Sequence, residues 1–164
     1  VGVIAKGEVV MIKLSGMLSE ERCIDLMSSK KENALKELVF AISKAKQVND
    51  RNEFYRAIME REKIISTGIG IHIAVPHVKI PSVTDFVMAI GRKSEGIDYD
   101  SLDGKPVSII IMIGANESQR DQYLKVLARI VLLFKNSQFR RKIINAKTSA
   151  AIIKAFADKE KESE

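Results

Sequence analysis

Val107-Ser108-Ile109-Ile110-Ile111-Met112-Ile113 is an almost unbroken apolar run rich in β-branched side chains. A strand with one wet face would alternate apolar and polar residues. This run does not alternate, so both of its faces must be covered. It predicts the central strand of a sheet with helices on either side. Turn-forming residues precede it, in Asp103-Gly104-Lys105-Pro106 and in Glu95-Gly96-Ile97-Asp98-Tyr99-Asp100. Asp98, Asp100 and Asp103 lack the spacing and terminal glutamate of an EF-hand loop, so they read as turn formers rather than calcium ligands.

Working outward, the downstream segment predicts a helix over 118–135, with Tyr123, Leu124, Leu127, Ile130, Val131 and Phe134 on its apolar face. Asn136 caps a shorter helix to 146, and Thr148 caps a last one to 156. Upstream, Ala34, Leu35, Leu38, Val39, Ile42 and Ala45 recur at helical spacing over 31–46. Asp50 with Glu53 resembles a capping box opening a second helix, which buries Phe54, Ala57 and Ile58 and ends near Arg61. Gly68-Ile69-Gly70 reads as a turn, followed by strands over 71–75 and 83–91. Val9-Val10-Met11-Ile12 is either an edge strand or, with Met11 as a start, part of an extension. The expected fold is a single compact α/β domain with a mixed central β-sheet flanked by helices on both faces. Its expected bounds are 14–157, between an N-terminal extension or edge strand (1–13) and a charged C-terminal tail (158–164).

The 164 residues suffice for one domain with a sizeable core. Net charge is +6, but lysine and arginine alternate with glutamate, as in Glu60-Arg61-Glu62-Lys63, which marks solvated helix faces. The chain has no tryptophan and few other aromatics. That composition argues against a base-stacking surface and so against nucleic acid as a partner. No apolar run is long enough to span a bilayer, and no signal peptide is recognisable, so a cytoplasmic chain without membrane insertion is expected. The single cysteine, Cys23, cannot form an internal disulfide and reads as a small apolar residue.

Only two histidines exist, His72 and His77, and both lie between Arg61 and Val83. A neutral imidazole presents one nitrogen as a nucleophile while the other donates a hydrogen bond. A phosphoryl group on it would need cations and donors nearby. Arg61 offers a planar fork, and Ser66, Thr67 and the backbone around Gly68 and Gly70 offer further donors. Pro76 restricts Val75 to extended conformations and should end the strand, holding His77 at the sheet's rim. The plain alternative is a loop histidine with no task. His72 and His77 are five apart and should face opposite ways on a regular strand, so they do not suggest a metal site. Neither a metal nor a cofactor is expected. The Gly-x-Gly precedes a strand and lacks a third glycine, so it is not a dinucleotide fingerprint.

Arg61-Glu62, then Ser66-Thr67-Gly68-Ile69-Gly70, then Ile73-Ala74-Val75-Pro76-His77 resembles the active-site signature of type-2 enzyme IIA domains. These are the fructose/mannitol-class components of the phosphoenolpyruvate-dependent phosphotransferase system, and the nitrogen-regulatory branch is the nearest in appearance. Gly96-Ile97-Asp98 and Leu102-Asp103-Gly104-Lys105-Pro106-Val107 are similar to the family's segment before its central strand. The resemblance implies that His77 accepts the phosphoryl group and that Arg61 lies beside it. It also implies an HPr-like phosphocarrier protein as donor, and a IIB domain or a regulatory protein target as acceptor. The alternative within the family is a IIA-like regulatory binding protein with little or no phosphotransfer. Three positions depart from the family pattern: Tyr123 stands where a second histidine is usual, Val78 where glycine commonly follows the active histidine, and His72 where the nitrogen branch commonly has glycine. Tyr123 is then a possible hydrogen-bond donor to phosphate.

Overall fold

The computed structural model describes residues 13–163, together with the secondary structure at Ile4, Ala5, Glu8 and Val9. Two short strands, β1 (Ile4–Ala5) and β2 (Glu8–Val9), pair antiparallel with each other. Of the edge strand expected over 9–12, only Val9 falls among the described residues, and it lies opposite Ile4 rather than in the main sheet. After short 3-10 turns at Leu14–Met17 and Glu20–Arg22 come β3 (Cys23–Asp25), α1 (Lys31–Ile42), α2 (Arg51–Ile64) and β4 (Gly68–Gly70). Next are β5 (Ile73–Ala74), β6 (His77–Lys79), β7 (Val87–Ile97) and β8 (Val107–Ala115). The chain then closes with α3 (Arg120–Lys135), α4 (Ser137–Asn145) and α5 (Ser149–Lys161).

The sheet has six strands in the order β3-β7-β8-β5-β4, and β6 also pairs with β8, beyond β5. It is mixed: β3 runs parallel to β7, β7 antiparallel to β8, and both β5 and β6 parallel to β8. The apolar run thus forms the central strand that its lack of alternation requires. Ile109, Ile111, Ile113 and Ala115 point into a core with Tyr123, Val126, Ile130, Phe134, Phe139 and Phe156 from α3, α4 and α5. Ile110 and Met112 point the other way, toward Leu35, Leu38, Ile42, Phe54 and Ile58 from α1 and α2. Each such fully buried side chain contributes about 1.5–3 kcal/mol of transfer free energy. Phe134, Phe139 and Phe156 meet edge to face, with centroids 5.1–5.8 Å apart.

Three helix starts follow the sequence, whereas α1 begins after Lys30 and α3 after Gln119 without a side-chain cap. The side chains of Asp50, Asn136 and Thr148 accept from the backbone N–H of Glu53, Phe139 and Ala151. Several boundaries differ from expectation. α1 stops at Ile42, after which Lys44 and Ala45 turn through tighter i→i−3 bonds. Gly68-Ile69-Gly70 is itself a strand, and the turn falls on Ile71-His72. β7 starts at Val87 rather than 83, because Val83 and Thr84 bond to Ile80 and Gln47 instead. It then runs on through Ile97, with an irregular register between Arg92 and Ile97 where Gly96 takes φ +85°. A turn-rich composition there marks a bulge in a long strand.

At the C-terminus α5 continues to Lys161, past the expected boundary at 157. Its Glu160 is buried and accepts from the N–H groups of Leu14 (2.8 Å) and Ser15 (2.9 Å), with Arg129 3.4 Å away. Among the described residues no helix is long and apolar enough to cross a membrane.

Candidate functional site

His77 opens β6, where its backbone faces Ile113 and that of Val78 faces Gly114 of β8. Pro76 lacks an N–H, but its carbonyl accepts from Ile113, while Val75 still donates to Thr67 on the β4 side. The Val75-Pro76 step therefore moves the chain from β5 to β6 along the same partner strand. Proline interrupts the strand as the sequence implies, but His77 begins a new strand instead of hanging at a rim. Val78 turns inward to the α1–α2 core, so His77 and Lys79 share the opposite face.

The His77 Nδ1 lies 2.6 Å from the Val75 carbonyl oxygen. A carbonyl only accepts, so Nδ1 carries the proton and Nε2 keeps its lone pair. The ring is half-buried. Burial pushes its pKa below the ordinary 6.5; the Val75 hydrogen bond works against this, the Arg61 charge adds to it, and the Glu62 charge opposes it. The imidazole is therefore held neutral and nucleophilic at pH 7.

Tyr123, in the first turn of α3, places its ring 5.8 Å from the His77 ring, tilted by 58°. Its hydroxyl has no hydrogen-bond partner among the described residues. Burial raises the phenol pKa and the Arg61 charge lowers it, so it stays an O–H donor. Arg61 thus acts electrostatically on both rings. Its guanidinium is held at the end of α2 by an Nη1 hydrogen bond to the Ile65 carbonyl (3.0 Å). Lys79 Nζ lies 5.7 Å from the Tyr123 ring centre. Lys79 carries no motif of its own, but its i+2 spacing from a strand histidine places it on the same face.

The donors assigned to phosphate in the Ser66–Gly70 segment are engaged elsewhere. Ser66 Oγ donates to the Tyr99 carbonyl and accepts from Gly68 N–H. Gly70 N–H donates to Ser101 Oγ, and Ile71 N–H to Asp103. A Cβ on Gly68 would sit 2.8 Å from the Ser101 Cα, so glycine is required there for close approach to that loop. These glycines fasten a hairpin to residues 101–103 rather than forming an open anion nest.

Thr67 is likewise buried, and its hydroxyl donates to Glu62. Glu62 also accepts from Thr67 N–H (3.2 Å) and Tyr99 OH (2.9 Å), and pairs with Lys31 Nζ (2.8 Å). Lys31 in turn lies 4.3 Å from the Tyr99 ring centre. This satisfied network fixes the end of α2, and with it Arg61, against the loop before β8. Glu62 adjoins Arg61 in an ordinary-looking charged run, so nothing in the sequence pattern marks it as buried.

His72 sits on the Ile71-His72 turn, exposed, with Nδ1 2.8 Å from the Pro106 carbonyl. Cys23 is buried, and burial lifts its thiol to about 11, which removes it as a nucleophile at neutral pH. Among the described residues no cluster of three or more His, Cys, Asp or Glu side chains could hold a metal.

Residues 17–159 match the family described as phosphoenolpyruvate-dependent sugar phosphotransferase system, EIIA 2. The chain is 37% identical over 143 residues to the PTS system fructose-specific EIIABC component of Bacillus subtilis, covering 87% of this chain but 22% of that protein's length. It is 31% identical over 134 residues to a nitrogen regulatory protein of Bradyrhizobium diazoefficiens, covering 80% of this chain and 86% of that one. Among solved structures, nitrogen regulatory protein IIA-Ntr from Neisseria meningitidis superposes with a TM-score of 0.81 at 22% identity, covering 87% of this chain and 98% of that one. The IIA chain in the complex of Escherichia coli enzyme IIAMtl with phosphorylated enzyme IIBMtl superposes with a TM-score of 0.73 at 18% identity, covering 86% and 97%. At those identities the two structures establish the shared fold.

Proposed function

The chain belongs to the EIIA type-2 family of the phosphoenolpyruvate-dependent sugar phosphotransferase system, and on that premise we propose that it carries a phosphoryl group on Nε2 of His77. The observation supporting this most directly is the Nδ1–H bond to the Val75 carbonyl, which leaves Nε2 with the lone pair. In the forward step Nε2 attacks phosphorus on a phosphohistidine of an HPr-like donor. A new N–P bond forms, the donor's N–P bond breaks, and the donor imidazole leaves with the electron pair. The reverse arrangement passes the group to a IIB domain or holds it as a signal. Arg61 and Lys79 offset the added charge, and the Tyr123 hydroxyl offers a hydrogen bond to a phosphoryl oxygen. Phosphoryl transfer depends mainly on positioning and charge, so so small a site suffices.

Apolar side chains border these groups. Ile64 and Ile65 follow Arg61, Leu124 follows Tyr123, and all three are exposed. Such a fringe suits docking of another protein. On this reading the chain works in the cytoplasm, where such carriers meet. Incubation with phosphoenolpyruvate, enzyme I and an HPr-like carrier should add one phosphoryl mass to the wild type and none to His77→Ala. Equal labelling of both proteins would refute the assignment.

A regulatory role is the second reading, favoured by the relative named as a nitrogen regulatory protein and by Tyr123 beside the acceptor. A phenol cannot take positive charge as an imidazole can, which favours holding over rapid onward transfer. Phosphoryl transfer from labelled protein to purified IIB domains separates the two: rapid discharge supports the relay, while a long-lived label supports the signal.

A further inference from the structure

A cavity of about 350 Å³ lies between α4 and the turn joining β4 to β5. Small-molecule sites begin at about 300 Å³. The cavity is remote from His77. His77 pairs with Ile113, whereas Ile73, at the cavity, pairs with Ile109, and those β8 positions are separated by roughly 13 Å of extended strand.

Its floor is apolar, made by the buried Ile73 and Ile109 with Ile144, and Ile71 adds an apolar wall. Its rim is basic. α4 presents Ser137, Arg140, Arg141 and Asn145 to it, a spacing that lines one helical face. Arg140 is anchored by Nη1 to the Phe134 and Lys135 carbonyls, which leaves the rest of its fork uncommitted. Arg141 is exposed and has no partner among the described residues. No carboxylate lines the cavity.

The third wall is strained. Gly70, Ile71 and His72 have φ values of +94°, +52° and +64°. A two-residue hairpin turn with positive φ at both positions calls for asparagine or glycine, and a β-branched residue there is an outlier. Strain of this kind collects where a side chain must be aimed. Here it sets Ile71 and His72 into the wall of the cavity.

We propose that this cavity is a binding site for a small organic anion with an apolar body: the isoleucine floor takes the body and Arg141, with Arg140, takes the charge. It goes beyond the phosphocarrier reading and does not depend on it.

The test is a titration of the full 15N-labelled chain with phenyl phosphate, benzoate, benzyl alcohol and inorganic phosphate in turn, following amide shifts. Phenyl phosphate and benzoate are expected to shift Ile71, His72, Ser137 and Asn145 saturably, in the low-millimolar range. Arg141→Ala should weaken both by about fivefold, as for one exposed charge pair. Ser137→Trp, an exposed change that fills the mouth, should abolish both. The same shifts should persist in His77→Ala, which separates this site from the phosphoacceptor. The proposal is overturned if those amides show no saturable shift, or if Arg141→Ala binds with unaltered affinity. Benzyl alcohol or inorganic phosphate binding as tightly as phenyl phosphate would overturn it equally.

Discussion

His77 Nδ1 donates to the carbonyl of Val75, two residues back across Pro76, at 2.6 Å. The acceptor belongs to the chain's own turn between β5 and β6, so the tautomer is set by backbone rather than by a mobile side chain. Two-bond 1H–15N correlation spectra should show the Nδ1–H form in the free protein. After phosphorylation the phosphorus coupling should fall on Nε2, and coupling to Nδ1 would contradict the geometry.

The lowered pKa of His77 has a definite sign. The folded value lies below 6.5, so between the two values the unfolded chain binds more protons, and stability rises with pH. This contribution is complete above pH 6.5 and is lost as pH falls through the depressed folded value. His77→Gln should flatten that part of the stability–pH curve. The phosphorylation rate of the wild type should hold level below pH 6.5 and drop only when the folded ring itself protonates, as pH-jump labelling would show.

Glu62 is the buried partner of Thr67, Tyr99 and Lys31. Glu62→Ala leaves those donors without their acceptor and should cost about 3 kcal/mol. Tyr99→Phe removes one hydrogen bond and should cost about 1 kcal/mol. Urea unfolding would measure both. A Glu62→Ala loss no greater than that of Tyr99→Phe would mean the carboxylate is not the hub.

Gly114 of β8 faces Val78, and a Cβ there would lie 2.7 Å from Phe54 Cε2 and 3.1 Å from Val87 Cγ1. Both neighbours are buried core side chains with little room to give. Gly114→Ala should therefore destabilise by about 1–3 kcal/mol, read as a lower urea midpoint at unchanged slope.

Ile71 can be improved. At φ +52° its branched side chain crowds the backbone. Ile71→Asn should stabilise the fold by about 1 kcal/mol, visible as a raised melting temperature. The same variant should weaken phenyl phosphate binding at the cavity, since it removes part of the apolar wall.

How far the sequence led can be seen residue by residue. The run at Val107 announced the central strand because burial on both faces abolishes alternation. The caps at Asp50, Asn136 and Thr148 were legible because capping is local. The β4–β5 hairpin was misplaced by two residues, because its turn uses Ile71-His72 where turn chemistry would put the glycines. At the site, the motif drew His77, Arg61 and Tyr123 into one place, and the structure puts the two rings in contact and both under the Arg61 charge. Thr67 proved to be tied to Glu62, five positions back on α2, and Ser66 and Gly70 to Tyr99 and Ser101, far ahead in sequence. No local pattern reveals a partner more than 30 positions away.

The bond from Leu14 N–H to Glu160 ties the domain's first turn to its last helix. Polypeptide attached ahead of that turn or beyond that helix would leave from one corner of the molecule. A tethered neighbour would then sweep much the same volume whichever end bore the linker, at an effective concentration set by the linker's length and stiffness. The domain could thus serve as a module in a longer polypeptide without altering its core.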